Sequence, residues 1–143
     1  MKKILFIGQT GCGKTTLCQR LENMEVQYKK TQQVTYSNLS IDTPGEYVEN
    51  RGYHNSLVIA SADAEVIAFV HDITDDSTFF PPLFSSRFTK PVVGILTKLD
   101  LVESEVQIEK GRHYLKLAGV SKIFTVGKEE DKGILEIRAF LVR

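Results

Sequence analysis

The sequence predicts an α/β fold of three layers, a mostly parallel sheet covered by helices on both faces. Three observations carry that prediction. Apolar, β-rich runs alternate with amphipathic stretches along the chain, as expected of strands joined by crossover helices. Glu65-Val66-Ile67-Ala68-Phe69-Val70 and Pro91-Val92-Val93-Gly94-Ile95-Leu96 are nearly continuous in apolar character, which is how strands buried on two faces read. Connections between the runs are short, and no repeat, linker or low-complexity segment interrupts them.

In order along the chain, residues 3–7 form the first strand and residues 14–22 a helix ending near Asn23. Residues 38–42 make a short strand that leads into Thr43-Pro44-Gly45, and residues 53–61 a short helix. The two continuous apolar runs supply the next strands. Over residues 104–117, Val106, Ile108, Tyr114 and Leu117 fall at roughly helical spacing, with Ser104 as the cap and Gly119 as the stop. Residues 121–126 form the last strand, and Ile134, Ile137, Phe140 and Leu141 mark the buried side of a C-terminal helix. A chain of 143 residues suits one domain over residues 1–143.

Composition narrows the function classes. Eighteen basic against eighteen acidic residues leave no net charge, so no global field gathers nucleic acid or an anionic surface. The apolar run after Lys2-Lys3 is too short for a signal peptide, and nothing approaches the ~20 apolar residues of a membrane span. Cys12 and Cys18 have no His or Cys companions at ligand spacing. They make neither a zinc site nor a disulfide framework, which fits a reducing, cytoplasmic compartment.

In parallel sheets ligands bind beyond the carboxyl ends of the strands, and the chemistry concentrates there. After the first strand stands Gly8-Gln9-Thr10-Gly11-Cys12-Gly13-Lys14-Thr15, followed by Thr16. This matches G-x-x-x-x-G-K-S/T in full, between a strand and a helix, the arrangement of a phosphate-binding P-loop. Its glycines let successive N–H groups turn toward phosphate oxygens, and the helix start adds its dipole. Lys14 supplies a cation for the β- and γ-phosphates, and the Thr15 hydroxyl is a candidate Mg²⁺ ligand. After the short strand comes Asp42-Thr43-Pro44-Gly45: Asp42 can hold Mg²⁺ through a water, and the Gly45 N–H can meet a γ-phosphate. An ordinary Asp-x-Pro-Gly turn is the plain alternative.

Thr97-Lys98-Leu99-Asp100 ends the next-to-last strand, and here the sequence resembles the P-loop GTPases, whose Asn/Thr-Lys-x-Asp motif reads guanine. The Asp100 carboxylate can accept two hydrogen bonds from guanine that adenine does not offer, while the Lys98 stem can cover the base. An N-cap role for Asp100 is the structural alternative. Thr125-Val126-Gly127-Lys128 is a loose match to the Ser-Ala-Lys-like sequence of GTPases, with the Gly127 N–H open to a base carbonyl. The segments GQTGCGKTTL, KKTQQVTYSNLSIDTPGEYVEN, TFFPPLFSS and KPVVGILTKLDL resemble the ethanolamine/propanediol-utilisation proteins of the EutP/PduV type over nearly the whole chain. That resemblance implies a Ras-like P-loop fold, a bacterial host and a link to microcompartments that degrade ethanolamine or 1,2-propanediol. For the ethanolamine branch it also implies an acetate-kinase activity.

Several positions depart from the Ras-like pattern. The stretch between Thr15 and Asp42 is short for such a protein, so one edge strand is expected to be reduced or missing. Thr31 or Thr35 would complete the Mg²⁺ shell, with Thr31 favoured. Glu46 stands where Ras-like enzymes carry the water-orienting glutamine, and Arg51 or His54 could act in cis. Thr10 replaces a glycine, and slow hydrolysis follows, on the ~10⁻⁴ s⁻¹ scale of unassisted switches. Cys12 reads as a packing residue first and a redox handle second, its thiol open to pKa lowering by the loop. His71 reads as a hydrogen-bonded strand-end residue and His113 as solvent-facing. The apolar island Thr78-Phe79-Phe80-Pro81-Pro82-Leu83-Phe84 reads first as core and second as a partner surface.

Three functions fit these residues. The first is a GTP/GDP switch with Mg²⁺. The second is a phosphotransferase that uses ATP and carries phosphate to acetate or a similar carboxylate. The third is a recruitment module for a microcompartment shell or enzyme partner.

Overall fold

The first strand, β1 (Ile4–Ile7), buries every side chain because it lies inside a sheet with elements on both sides. In this computed structural model, which describes residues 1–29, 39–128 and 131–143, β2 is Ser40–Asp42, β3 Val66–Asp72, β4 Val92–Thr97 and β5 Ile123–Thr125. The five strands run in the order β2-β1-β3-β4-β5, and every pairing is parallel. The helices are α1 (Lys14–Lys29), α2 (Glu46–Glu49), α3 (His54–Ala60), α4 (Glu105–Leu117) and α5 (Lys132–Leu141).

Alternation of side chains along β1 assigns the layers. Ile4 and Phe6 join Leu17 and Leu21 of α1 and Ile134, Ile137 and Leu141 of α5 on one face. Leu5 and Ile7 join Val48 of α2, Leu57 of α3 and Leu115 of α4 on the other. This is the three-layer α/β P-loop fold the sequence predicts. The edge strand β2 has only three residues. Residues 30–38, where a further edge strand would fall, lie outside the described residues, as do Thr31 and Thr35.

Several boundaries differ from the sequence reading. Helix α1 runs past Asn23 to Lys29, because no Gly or Pro intervenes and Glu25 is anchored to Arg138 of α5 at 3.1 Å. Helix α2 was not foreseen; it is a single turn begun directly by Gly45. In α4 the buried positions are Gly111 and Leu115, with Ile108 packed beside them, while Val106 and Leu117 are 68% and 47% exposed. The true face is thus i, i+3, i+7 from Ile108. Ser104 occupies the N-cap position with extended backbone, but its hydroxyl makes no capping bond. Instead the Gln107 side chain accepts from the Glu103 N–H at 2.6 Å. Gly119 ends α4 as expected, at φ +98°.

The apolar island divides. Phe80 and Phe84 are buried against Phe69 and Phe88, whereas Phe79 and Leu83 are 45% and 66% exposed.

Candidate functional site

The carboxyl ends of the parallel strands bring the motif residues to one edge of the sheet. Ile7 leads into the glycine-rich loop, while the pairings Phe6 with Asp42 and Asp72 with Thr97 set the other strand ends beside it. The loop turns at Gly11 and Gly13, whose φ values of +82° and +102° are left-handed conformations that a side chain would strain. Helix α1 begins at the next residue, Lys14.

A hollow of about 460 Å³ lies over this loop, lined by Thr10, Gly11, Gly13, Lys14, Thr15 and Thr16 on one side and Asp42–Gly45 on the other. Lys14 is buried at its floor. Its Nζ donates to the Gly8 carbonyl at 2.6 Å and the Gln9 carbonyl at 3.2 Å. The Thr15 hydroxyl donates to Asp42 Oδ2 at 2.7 Å, so two oxygen-bearing side chains from separate elements meet on the open floor. Such hard oxygen donors suit Mg²⁺, which takes few protein ligands and keeps waters and phosphate oxygens for the rest of its shell. The Thr43 hydroxyl anchors the strand end by donating to the Phe6 carbonyl at 2.7 Å.

A second hollow, about 270 Å³, adjoins the first and shares Gly13, Thr16 and Lys98 with it. Leu17, Leu101 and Val126 give it apolar wall, and Asp100, Gly127 and Lys128 give it a polar end. Asp100 Oδ1 accepts from the Lys128 N–H at 2.9 Å. The buried Gly127 is held from below, its carbonyl accepting from Arg20 Nη1 at 2.7 Å. Thr97 and Lys98 stitch this hollow to the phosphate loop: the Thr97 hydroxyl donates to the Cys12 carbonyl at 2.6 Å and Lys98 Nζ to the Gly11 carbonyl at 2.8 Å.

Not every sequence-predicted residue joins this cluster. Gln9 turns aside, its amide donating to the Asp75 carboxylate. Glu46 opens α2 and is exposed. His54 is buried, with Nε2 2.9 Å from the Val48 carbonyl and its ring against Phe84. It is a core residue, not a group acting in cis. Arg51 lines a separate groove with Pro81, Pro82 and Arg87, so neither expected cis residue faces the loop. His71 is the hydrogen-bonded strand-end residue the sequence predicts, buried near the end of β3 and bonded to the Asp75 backbone. Its buried Nε2 has no hydrogen-bond partner among the described residues, and the ring is packed edge-on to Tyr114 in space that Gly111 leaves open. His113 is exposed, as expected. Cys12 is buried, and burial pushes its thiol up in spite of nearby Lys14, so the expected lowering of its pKa is reversed.

One contact escaped the sequence reading. Glu49 Oε2 accepts the backbone N–H of Thr10 at 2.7 Å. The Thr10 N–H and hydroxyl hold the Glu49 carboxyl below the ordinary carboxylate range. The signal available was the spacing Glu46–Glu49, which places two carboxylates on one face of any helix begun at Gly45.

Comparison with known proteins places this chain in a family. The family model described as PduV-EutP, ethanolamine utilisation–propanediol utilisation, matches residues 1–143. The propanediol utilization protein PduV of Citrobacter freundii is 37% identical over 99% of this chain and 93% of its own. A protein of Escherichia coli K12 named probable acetate kinase EutP is 32% identical over 74% of this chain and 68% of its own. Among solved structures, Cyanothece McdA in complex with ATP aligns over 96% of this chain and 87% of that one, at TM-score 0.46 and 11% identity. With a P-loop at the head of its sheet and a family match along its whole length, this chain belongs to the PduV–EutP family of ethanolamine and propanediol utilisation.

Proposed function

We propose that this chain is a GTP-binding protein with slow, Mg²⁺-dependent GTP hydrolysis, serving ethanolamine or propanediol utilisation in association with a microcompartment. The observation that carries this reading is the continuity of the two hollows: the Asp100 end opens through Gly13, Thr16 and Lys98 into the hollow over Lys14. A purine nucleoside triphosphate has that shape, with a flat, partly apolar base joined to a string of anions.

In this reading Gly8–Thr16 wrap the phosphates with backbone N–H groups, and Lys14 leaves the Gly8 and Gln9 carbonyls to meet the β- and γ-phosphates. Thr15 and Asp42 hold Mg²⁺, and Thr31 is assigned to the same shell by family resemblance. Bound Mg²⁺ neutralises charge across the terminal phosphates. Asp100 reads the guanine edge, the Lys98 stem lies over the ring, and Gly127 offers its N–H to the base carbonyl. Gly45 contacts the terminal phosphate. Glu46 orients water, and its charge beside that phosphate keeps the step slow.

A second reading is favoured by the printed name of the 32%-identical relative, probable acetate kinase EutP. Here an acetate oxygen attacks the γ-phosphorus of ATP, the bond to the bridging oxygen breaks, and ADP and acetyl phosphate leave. The exposed pair Phe79 and Leu83 supports a third role alongside either chemistry, docking to a microcompartment partner.

Calorimetric titration of GTP, GDP, ATP and ADP, each with and without Mg²⁺, tests the proposal. GTP should bind in preference to ATP, and Asp100→Ala should erase about 100-fold or more of that preference. Equal affinity for GTP and ATP in the parent protein, with ATP-dependent acetyl phosphate formation that survives Asp100→Ala, would establish the second reading instead.

A further inference from the structure

The two hollows fix the direction in which a nucleotide lies. They overlap at Gly13, Thr16 and Lys98, so the base end is Asp100 and the far end is the wall formed by Thr10 and Gly45. That far end is where a third phosphate differs from a second. Two residues, one before α2 and one at its end, approach Thr10 there. Gly45 lies so near the loop that a Cβ there would come 2.2 Å from the Thr10 nitrogen. Glu49, one turn on, takes the Thr10 N–H at 2.7 Å. An internal carboxylate thus holds a donor of the phosphate loop, in the field of the same Lys14 ammonium that a terminal phosphate would use.

We propose that Glu49 is the residue that distinguishes nucleoside triphosphates from diphosphates, by occupying the Thr10 N–H as an internal anion that a terminal phosphate must displace. The inference rests on the proposed nucleotide site and assigns it a selectivity device. A diphosphate reaches Lys14 and the loop glycines without meeting Glu49, and the clasp stays closed. A triphosphate brings a second anion to the same end, and like charges at short range repel. The Glu49 carboxylate leaves Thr10, and α2 loses its hydrogen bond to the loop. Terminal-phosphate occupancy is thereby converted into a change at the surface segment that begins with Glu46. Glu49 is exposed, so its replacement leaves the core intact.

The test compares GDP with a non-hydrolysable GTP analogue, in Mg²⁺, on the parent protein, Glu49→Gln and Glu49→Ala. Glu49→Gln keeps the shape and an acceptor oxygen while removing the charge. Both variants should bind the triphosphate about tenfold more tightly while GDP affinity stays within about twofold. Equal shifts for both nucleotides, no shift, or weaker triphosphate binding would overturn the assignment of Glu49 and leave the nucleotide site standing. Failure of the parent protein to bind either nucleotide would instead remove the site on which the inference rests.

Discussion

Lys98 Nζ lies 2.8 Å from Asp72 Oδ2 and donates to the Gly11 carbonyl at 2.8 Å, so one ammonium ties the end of β3 to the phosphate loop. The backbone of Lys98 is left-handed, at φ +62°, a conformation unfavourable for a long side chain. The two bonds compensate for it.

Asp72→Asn should therefore cost about 1–3 kcal/mol near neutral pH, measured by urea unfolding. Burial pushes the Asp72 carboxyl up, but the bonds from Lys98 and Thr74 outweigh it and hold the group below its ordinary value. A depressed folded-state pKa stabilises above the unfolded pKa and loses that contribution as pH falls through the folded one. The difference between parent and variant should be complete at about pH 6 and shrink on acidification below about pH 4. A difference that grows toward low pH would contradict this.

Gly45→Ala places a Cβ 2.2 Å from the Thr10 nitrogen and 2.5 Å from its Cα. Backbone has to move, so the variant should lose about 1–3 kcal/mol in thermal unfolding and bind triphosphates more weakly. Thr10→Gly in the same chain removes the side-chain clash alone and should restore only part of the loss. Complete rescue would show that the Thr10 side chain, not the loop backbone, sets the constraint.

Burial raises both thiols, Cys18 to about 11. At about pH 8 Cys18 of the folded protein should react with a thiol-disulfide reagent on the order of a hundredfold more slowly than a free cysteine, and Cys12 more slowly as well. In denaturant both thiols should titrate at once. A fast-reacting thiol in the folded protein would restore the redox role for Cys12.

Phe84 is 2% exposed and touches Phe69, Phe88 and His54, while Phe79 is 45% exposed. Phe84→Ala should cost about 3–5 kcal/mol and Phe79→Ala less than about 1 kcal/mol, both read from denaturant midpoints. Comparable losses would mean that the island acts as one packed unit.

How much of this was legible beforehand follows from the range of the forces involved. The loop from Gly8 to Thr15, the strand ends at Asp42 and Thr97, and the parallel three-layer sheet all rest on local requirements. Glycines must turn, apolar runs must be buried on two faces, and hydroxyl and carboxylate must stand directly after a strand. Sequence carries such requirements within a few residues, and the family match along the whole chain agrees with them. The face of α4 was misjudged because Val106 and Leu117 are as apolar as Ile108 and Leu115; only packing against β3 and β4 chooses between the two stripes. Burial of His54 and the lost acidity of Cys12 arise in the same way, from neighbours distant in the chain. Glu49 on Thr10, 39 residues away, and Lys98 on Asp72 are encounters between side chains of separate elements. Tertiary structure alone decides them, because a carboxylate is chemically the same in solvent as at the mouth of a phosphate loop until the fold brings an N–H within reach.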